Sequence, residues 1–234
     1  PGKGRTTRVY PEIPVGKLRN GDSIWLTPAR SRTLSKTLYP KLWFWLPPVI
    51  WPEEEPTWKK ILSHMTSQGA VRFVTGSPWQ ISLFKDPGHL EIWTGPFCNL
   101  SNRYAASILK ELGFSGSFVS PELEGDKLLD LPRTAALPLG IVLTGAWPLC
   151  ISRFLSPGIK PGQIIKSPKQ ELSFVVKQGQ NYLHFPNWEL DLSPYKNELE
   201  QAGYTLFAHL LQPRPPRAPK PQRTSTFNWD LRLL

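Results

Sequence analysis

Short apolar runs alternate with turns and with stretches of helical periodicity from Leu42 onward, the pattern of parallel strands joined by crossover helices. The first run, Trp43 to Ile50, is followed by Trp51-Pro52-Glu53-Glu54-Glu55 and a predicted helix from Pro56 to Gln68. Acidic residues open that helix, where its dipole favours them, and Gly69 closes it. A second run, Val71 to Thr75, precedes a short helix at Pro78 to Phe84. The third, Leu90 to Thr94, leads to a helix that Asn99 or Ser101 would cap and that Gly113 stops after Leu112. The fourth is Ser117 to Ser120, with a helix near Asp126 to Leu131, and the fifth is Leu139 to Thr144. Strands spaced by about 20 to 25 residues match successive β/α units. The prediction is an α/β fold: a partial parallel (β/α) barrel of TIM type, with about five units. The remaining strands are expected from an N-terminal part of the same protein or from a partner subunit.

Outside this core the pattern changes. Residues 1–41 are rich in Pro, Gly, Arg and Thr, carry one strand-like run at Ser23-Ile24-Trp25-Leu26, and read as a basic linker or incomplete strand region. Residues 42–155 form the C-terminal part of the barrel. Residues 156–212 read as a small α+β appendage, with strands at Leu172 to Val176, Tyr182 to Phe185 and Tyr204 to Leu210 and a helix around Tyr195 to Ala202. Residues 213–234 form a basic tail, entered through the proline-rich Gln212-Pro213-Arg214-Pro215-Pro216. Its apolar end, Thr226 to Leu234 with Phe227 and Trp229, is expected to dock on the body or on a partner.

Composition narrows this picture. With 40% hydrophobic and 20% charged residues the chain can bury a core, so disorder throughout is excluded. No apolar run reaches the roughly 18 residues that cross a bilayer, so no membrane partner is expected. The sequence begins Pro1-Gly2-Lys3 and has Met65 as its one methionine, which reads as a fragment or a processed piece. The net charge of +10 allows attraction to nucleic acid, yet much of the excess lies in Lys3, Arg5, Arg8, Lys17 and Arg19 at one end and Arg214, Arg217, Lys220 and Arg223 at the other. Cys98 and Cys150 stand in no metal-binding spacing, which excludes a recognisable metal site and fits a reduced, cytoplasmic setting.

Asn99-Leu100-Ser101-Asn102 before an amphipathic helix, Leu112-Gly113-Phe114, and Val119-Ser120-Pro121-Glu122-Leu123 follow one another in an order that resembles the collagenase-like (U32) peptidases. Gly145-Ala146-Trp147-Pro148-Leu149-Cys150-Ile151-Ser152-Arg153 is similar to that family's strand and turn, and Ala202-Gly203-Tyr204 to the segment after its barrel. The resemblance spans roughly residues 42–210. It implies a peptidase name, and for several members oxygen-independent hydroxylation of RNA bases or of a quinone precursor with cysteine-bound iron-sulfur clusters. Where the family carries a cysteine after the turn, this chain has Phe154 and Leu155, and Cys98 and Cys150 alone cannot supply a four-cysteine cluster.

In a TIM barrel chemistry sits on the loops after the strands, so the candidates are the residues there. Glu122 is placed as general base and Ser120 as the residue that holds it or the substrate, against a plain turn in which Ser120 satisfies backbone groups. Asn99 and Asn102 offer amides to a substrate's polar edge, or cap the helix. Trp147 and Arg153 complete the expected substrate site, Arg153 through its planar fork and Trp147 by stacking, or else by packing. Cys98, in a strand-to-helix loop, is the more reactive of the two thiols, with a packing role favoured over reactivity, and Cys150 is expected as a buried structural cysteine. The resulting expectation is a hydroxylation-type modifying enzyme acting on RNA or a small aromatic acceptor. A peptidase and a non-catalytic binding subunit are the alternatives.

Overall fold

The computed structural model describes residues 4–212, 214–215, 218–221 and 223–231. Strands β1 (Arg5–Tyr10), β2 (Ser23–Trp25), β3 (Trp43–Trp45), β4 (Arg72–Thr75), β5 (Glu91–Thr94), β6 (Gly116–Phe118) and β7 (Leu139–Gly145) pair in sequence order, each parallel to the next. Strand β13 (Leu206–Leu210) then pairs parallel with both β7 and β1 and closes an eight-stranded ring. Helices α1 (Pro28–Thr33), α2 (Glu55–Ser67), α3 (Arg103–Glu111), α4 (Gly125–Thr134) and α5 (Lys196–Ala202) and several 3-10 turns make the crossovers.

The TIM-type barrel is as expected, but it is closed and not partial. Closure needs no strand from elsewhere, because residues 1–41, read as linker, contain β1, β2 and α1, and the last strand of the expected appendage is β13. The first strands escape an apolar-run search for a physical reason: in Arg5-Thr6-Thr7-Arg8-Val9-Tyr10 only Thr7 and Val9 are fully buried. Polar pairs do the cross-strand work: the Thr7 and Ser23 hydroxyls lie 2.7 Å apart in the core, and Arg8 donates to both carboxylate oxygens of Asp22 at 3.1 and 2.8 Å. Arg5 pairs with Glu91 at 3.0 Å.

Aromatic rings fill the ring of strands. Trp43, Trp45, Trp93 and Phe118 form one connected set, with centroids 5.2 to 6.0 Å apart, while Tyr39, Phe44, Phe73 and Phe84 form another. Along Trp43-Phe44-Trp45 successive side chains therefore alternate between the barrel interior and the layer under the helices. The indole N–H groups of Trp45 and Trp93 are buried without a partner. Each such group costs about 1–3 kcal/mol, less than the roughly 5 kcal/mol gained when about 200 Å² of ring leaves water. The rings fit because β6 begins with Gly116, where a methyl group would overlap the Trp93 indole. Gly145 plays the same part at the seam, with a φ of 127° and Leu210 of β13 against it.

Between β7 and α5 the chain builds a four-stranded antiparallel sheet in the order β8 (Cys150–Ser152), β11 (Asn181–Pro186), β10 (Leu172–Gln178), β9 (Ile164–Lys166). This appendage is thus an insertion in a loop at the C-terminal face and not a segment after the barrel. Asn181, buried, ties it down: its amide donates to the Val49 carbonyl at 3.0 Å and its Oδ1 accepts from the Trp51 indole at 3.1 Å. Strand β12 (Glu189–Asp191) returns antiparallel to β7 and carries the two-residue strand β14 (Thr224–Ser225) on its other side. The apolar end docks on the body as expected: Phe227 packs edge-on to Trp188, and Trp229 stacks on Tyr195 at 4.0 Å. Lys3, Pro213, Pro216, Arg217 and the final residues 232–234 lie outside the described residues.

Gly116→Ala should destabilise the fold by about 1–3 kcal/mol through overpacking against Trp93. Urea denaturation should show a lower midpoint with an unchanged slope.

Candidate functional site

The loops after the strands meet under the inserted sheet, and there the predicted residues separate. Ser120 follows β6 and is buried; its N–H donates to the Leu100 carbonyl at 3.0 Å and its hydroxyl oxygen accepts from the Glu122 N–H at 3.4 Å. The exposed Glu122 accepts at Oε1 from the Trp147 indole N–H at 2.9 Å, and its backbone carbonyl accepts from the Asn228 amide. Ser120, Glu122 and Trp147 therefore do come together, as a clamp between β6, β7 and the returning C-terminal segment. Asn102 accepts from the Ala105 N–H at 2.9 Å as the cap of α3, and Asn99 is exposed in a left-handed conformation with φ of 51°. Arg153 lies apart from them on the inserted sheet, 4.5 Å over the Trp51 ring and 3.9 Å from Glu53.

The centre of the mouth is filled. Trp25 packs edge-on to Trp45 at 5.0 Å and against Phe97 at 6.1 Å, and Phe97 stacks on Trp147 at 5.0 Å with an 11° tilt. Leu183 and Phe185 of β11 close over these rings, leaving a cavity of about 20 Å³. Such a space holds at most one water.

Cys98 takes the packing role and Cys150 departs from its expected one. Burial pushes the Cys98 thiol up to about 12, against weaker opposing hydrogen bonds from Gly95 and Thr94. Cys150, expected to be buried, is exposed on the edge strand β8. No group of three or more His, Cys, Asp or Glu side chains is placed to hold a metal among the described residues.

Two features escaped sequence reasoning. At the seam, a bulge between Ala208 and His209 shifts the register so that Thr144 faces His209, and the Thr144 hydroxyl and His209 Nδ1 share a 2.7 Å hydrogen bond. Burial, with Lys196 adding to it, holds the His209 imidazole below its ordinary value, and Asp191 opposes this weakly. The second is a cleft of about 680 Å³ beside the filled centre. Glu12, Thr27 and Arg30 from the loops after β1 and β2 form one wall; Val176, Lys177 and Gln178 of β10 form the other. Gln178 and Gln212 line both this cleft and the small central cavity, so the two adjoin. Thr27 caps α1 by accepting from the Arg30 N–H, and the Arg30 side chain lines the cleft. The Arg30 guanidinium donates through Nη1 to the Trp25 carbonyl, and burial lowers its pKa against a weaker attraction from Glu12. Thr27-Pro28 is a readable helix start, but the opposite wall arrives about 150 residues later, a distance no local pattern spans.

Among known proteins, no family model matches the chain and no curated protein matches its sequence. A solved structure, that of the U32 peptidase Mk0906, has the same fold, with a TM-score of 0.56 over 91% of this chain and 94% of that one at 10% identity. The closed TIM-type barrel is thus the fold of a U32 peptidase structure, in agreement with the resemblance carried by the Ser120-Pro121-Glu122 turn. At 10% identity the likeness speaks for fold and not for activity. No helix among the described residues is long and apolar enough to cross a membrane.

Treatment of the folded protein with iodoacetamide at pH 8 should label Cys150, whereas Cys98 should label only after unfolding in guanidinium; mass spectrometry of the peptides checks this. His209 and His184 both have imidazoles lowered by burial. The unfolded chain therefore takes up protons first, below about pH 6.5, and stability should fall as pH drops through that value. Urea midpoints at pH 7 and pH 5 should differ less in His209→Asn than in the parent.

Proposed function

We propose that this chain is a ligand-binding barrel, the non-catalytic reading of its fold, and that it takes a small molecule in the cleft between the first two strand loops and the inserted sheet. One observation carries the proposal. The centre of the mouth, where a TIM barrel does its chemistry, is occupied by Trp25, Phe97 and Trp147 and leaves about 20 Å³, while about 680 Å³ stands open beside it. The peptidase reading places its substrate at Glu122. That carboxylate accepts the Trp147 indole N–H at Oε1 and lines neither the open cleft nor the small central cavity, so it has no enclosed space in which to meet a substrate.

Crystals soaked with a small-fragment library are the test. Fragments should gather between Arg30 and Gln178, should be lost in Gln178→Trp, and should persist in Glu122→Gln with affinities within about twofold, since that exposed hydrogen bond contributes about 1 kcal/mol to the fold and nothing to the cleft. Hydrolysis of a peptide or hydroxylation of RNA by the purified chain, abolished by Glu122→Gln, would overturn the proposal.

A further inference from the structure

The cleft is unevenly charged. Arg30, Lys177 and Arg214 line it against one carboxylate, Glu12. Arg214 is engaged elsewhere: Nη2 donates to Asn187 and to the Pro219 carbonyl, the guanidinium sits 5.2 Å over the Phe174 ring, and Nε and Nη1, the latter 4.0 Å from Glu189, are buried without a hydrogen-bond partner and so closed to a ligand. Lys177 is exposed and rests 5.7 Å from the Tyr182 ring. Arg30 is different. It is partly buried, no ion pair holds it among the described residues, and one of its five N–H donors is used, on the Trp25 carbonyl. None of its side-chain nitrogens is among the buried unpartnered atoms, so its unused donors remain accessible beside the cleft, and a guanidinium with a free edge is shaped for two parallel hydrogen bonds to a carboxylate or phosphate. Exposed Glu12 attracts it through space without reaching ion-pair distance.

We propose that the ligand of this cleft is a small organic anion whose carboxylate or phosphate sits on the free edge of the Arg30 guanidinium, with Lys177 at the rim. This rests on the reading of the cleft as a ligand site and adds the chemical class of the ligand. The apolar remainder of the molecule meets Pro11, Val175 and Val176, and Gln178 and Gln212 mark the inner end, where a polar substituent would be recognised. Phosphate and carboxylate share the geometry that Arg30 offers, so the probes must tell them apart.

Three probes with the same short alkyl body serve: n-butyl phosphate, n-pentanoate and 1-pentanol, titrated into the isotope-labelled protein and followed by NMR shifts of the cleft amides. At least one of the two anions should shift Val176, Gln178 and Gly179, and whichever anion binds more tightly names the headgroup. Arg30→Gln should weaken that anion at least tenfold, since a charge-assisted pair contributes about 1.5–3 kcal/mol, with Arg30→Lys intermediate and Glu12→Gln tighter than the parent. Pentanol should bind weakly and equally to parent and Arg30→Gln, whose fold is checked by circular dichroism. Equal binding of alcohol and anions, indifferent to Arg30→Gln, would refute the anion and leave the ligand cleft standing. Shifts confined to residues outside the cleft, or no shifts at all, would refute both.

Discussion

The last barrel strand, β13, must lie between β7 and β1, and most of the molecule's functional geometry follows from that closure. A chain that leaves β7 has one strand still to place, so whatever it builds next is held at both ends by the same ring. The four-stranded sheet is built there. Its two connections to the barrel fix it over the C-terminal face, and Asn181 with Trp51 pins its far side to the loop after β3. The seam itself is tight: Gly145 gives Leu210 room, and the bulge beside His209 brings Thr144 within hydrogen-bonding distance. Bulges of this kind re-aim side chains at barrel rims.

From that placement comes the division of the mouth into a filled centre and an open flank. Above the interior tryptophans, Trp25, Phe97 and Trp147 continue the aromatic packing outward until β11 covers it. Glu122 and Ser120 then act as parts of the clamp that secures Trp147 and the returning segment around Asn228. The flank stays open because the β10–β11 hairpin stands off from the loops after β1 and β2, and Arg30 is left facing the gap with most of its donors unused.

Charge behaves in the same local way. The net +10 suggested a broad attraction to polyanions, yet several of the tail cations are committed within the fold, Arg5 to Glu91, Arg8 to Asp22 and Arg214 to Asn187 and Glu189. Arg30 has an average appearance in the sequence, and only the fold shows it partly buried, lining the cleft and without an ion pair among the described residues.

The sequence by itself determined the strands from β3 to β7, most of the helices between them, and the caps at Asn102 and Gly69, because each is set by local periodicity and backbone preference. It also placed the Ser120-Pro121-Glu122 turn at a strand end. What it could not determine was closure: β1 is stabilised by hydroxyl and ion pairs with a neighbouring strand and shows no apolar run, and β13, readable as a strand, lies so far along the chain that nothing local assigns it to the barrel. Tertiary structure alone decided which residues face a cavity. Arg30 and Gln178 meet across one because barrel closure and sheet insertion bring them together, and Cys150, expected to be buried, is exposed because burial is a property of packing and not of local sequence.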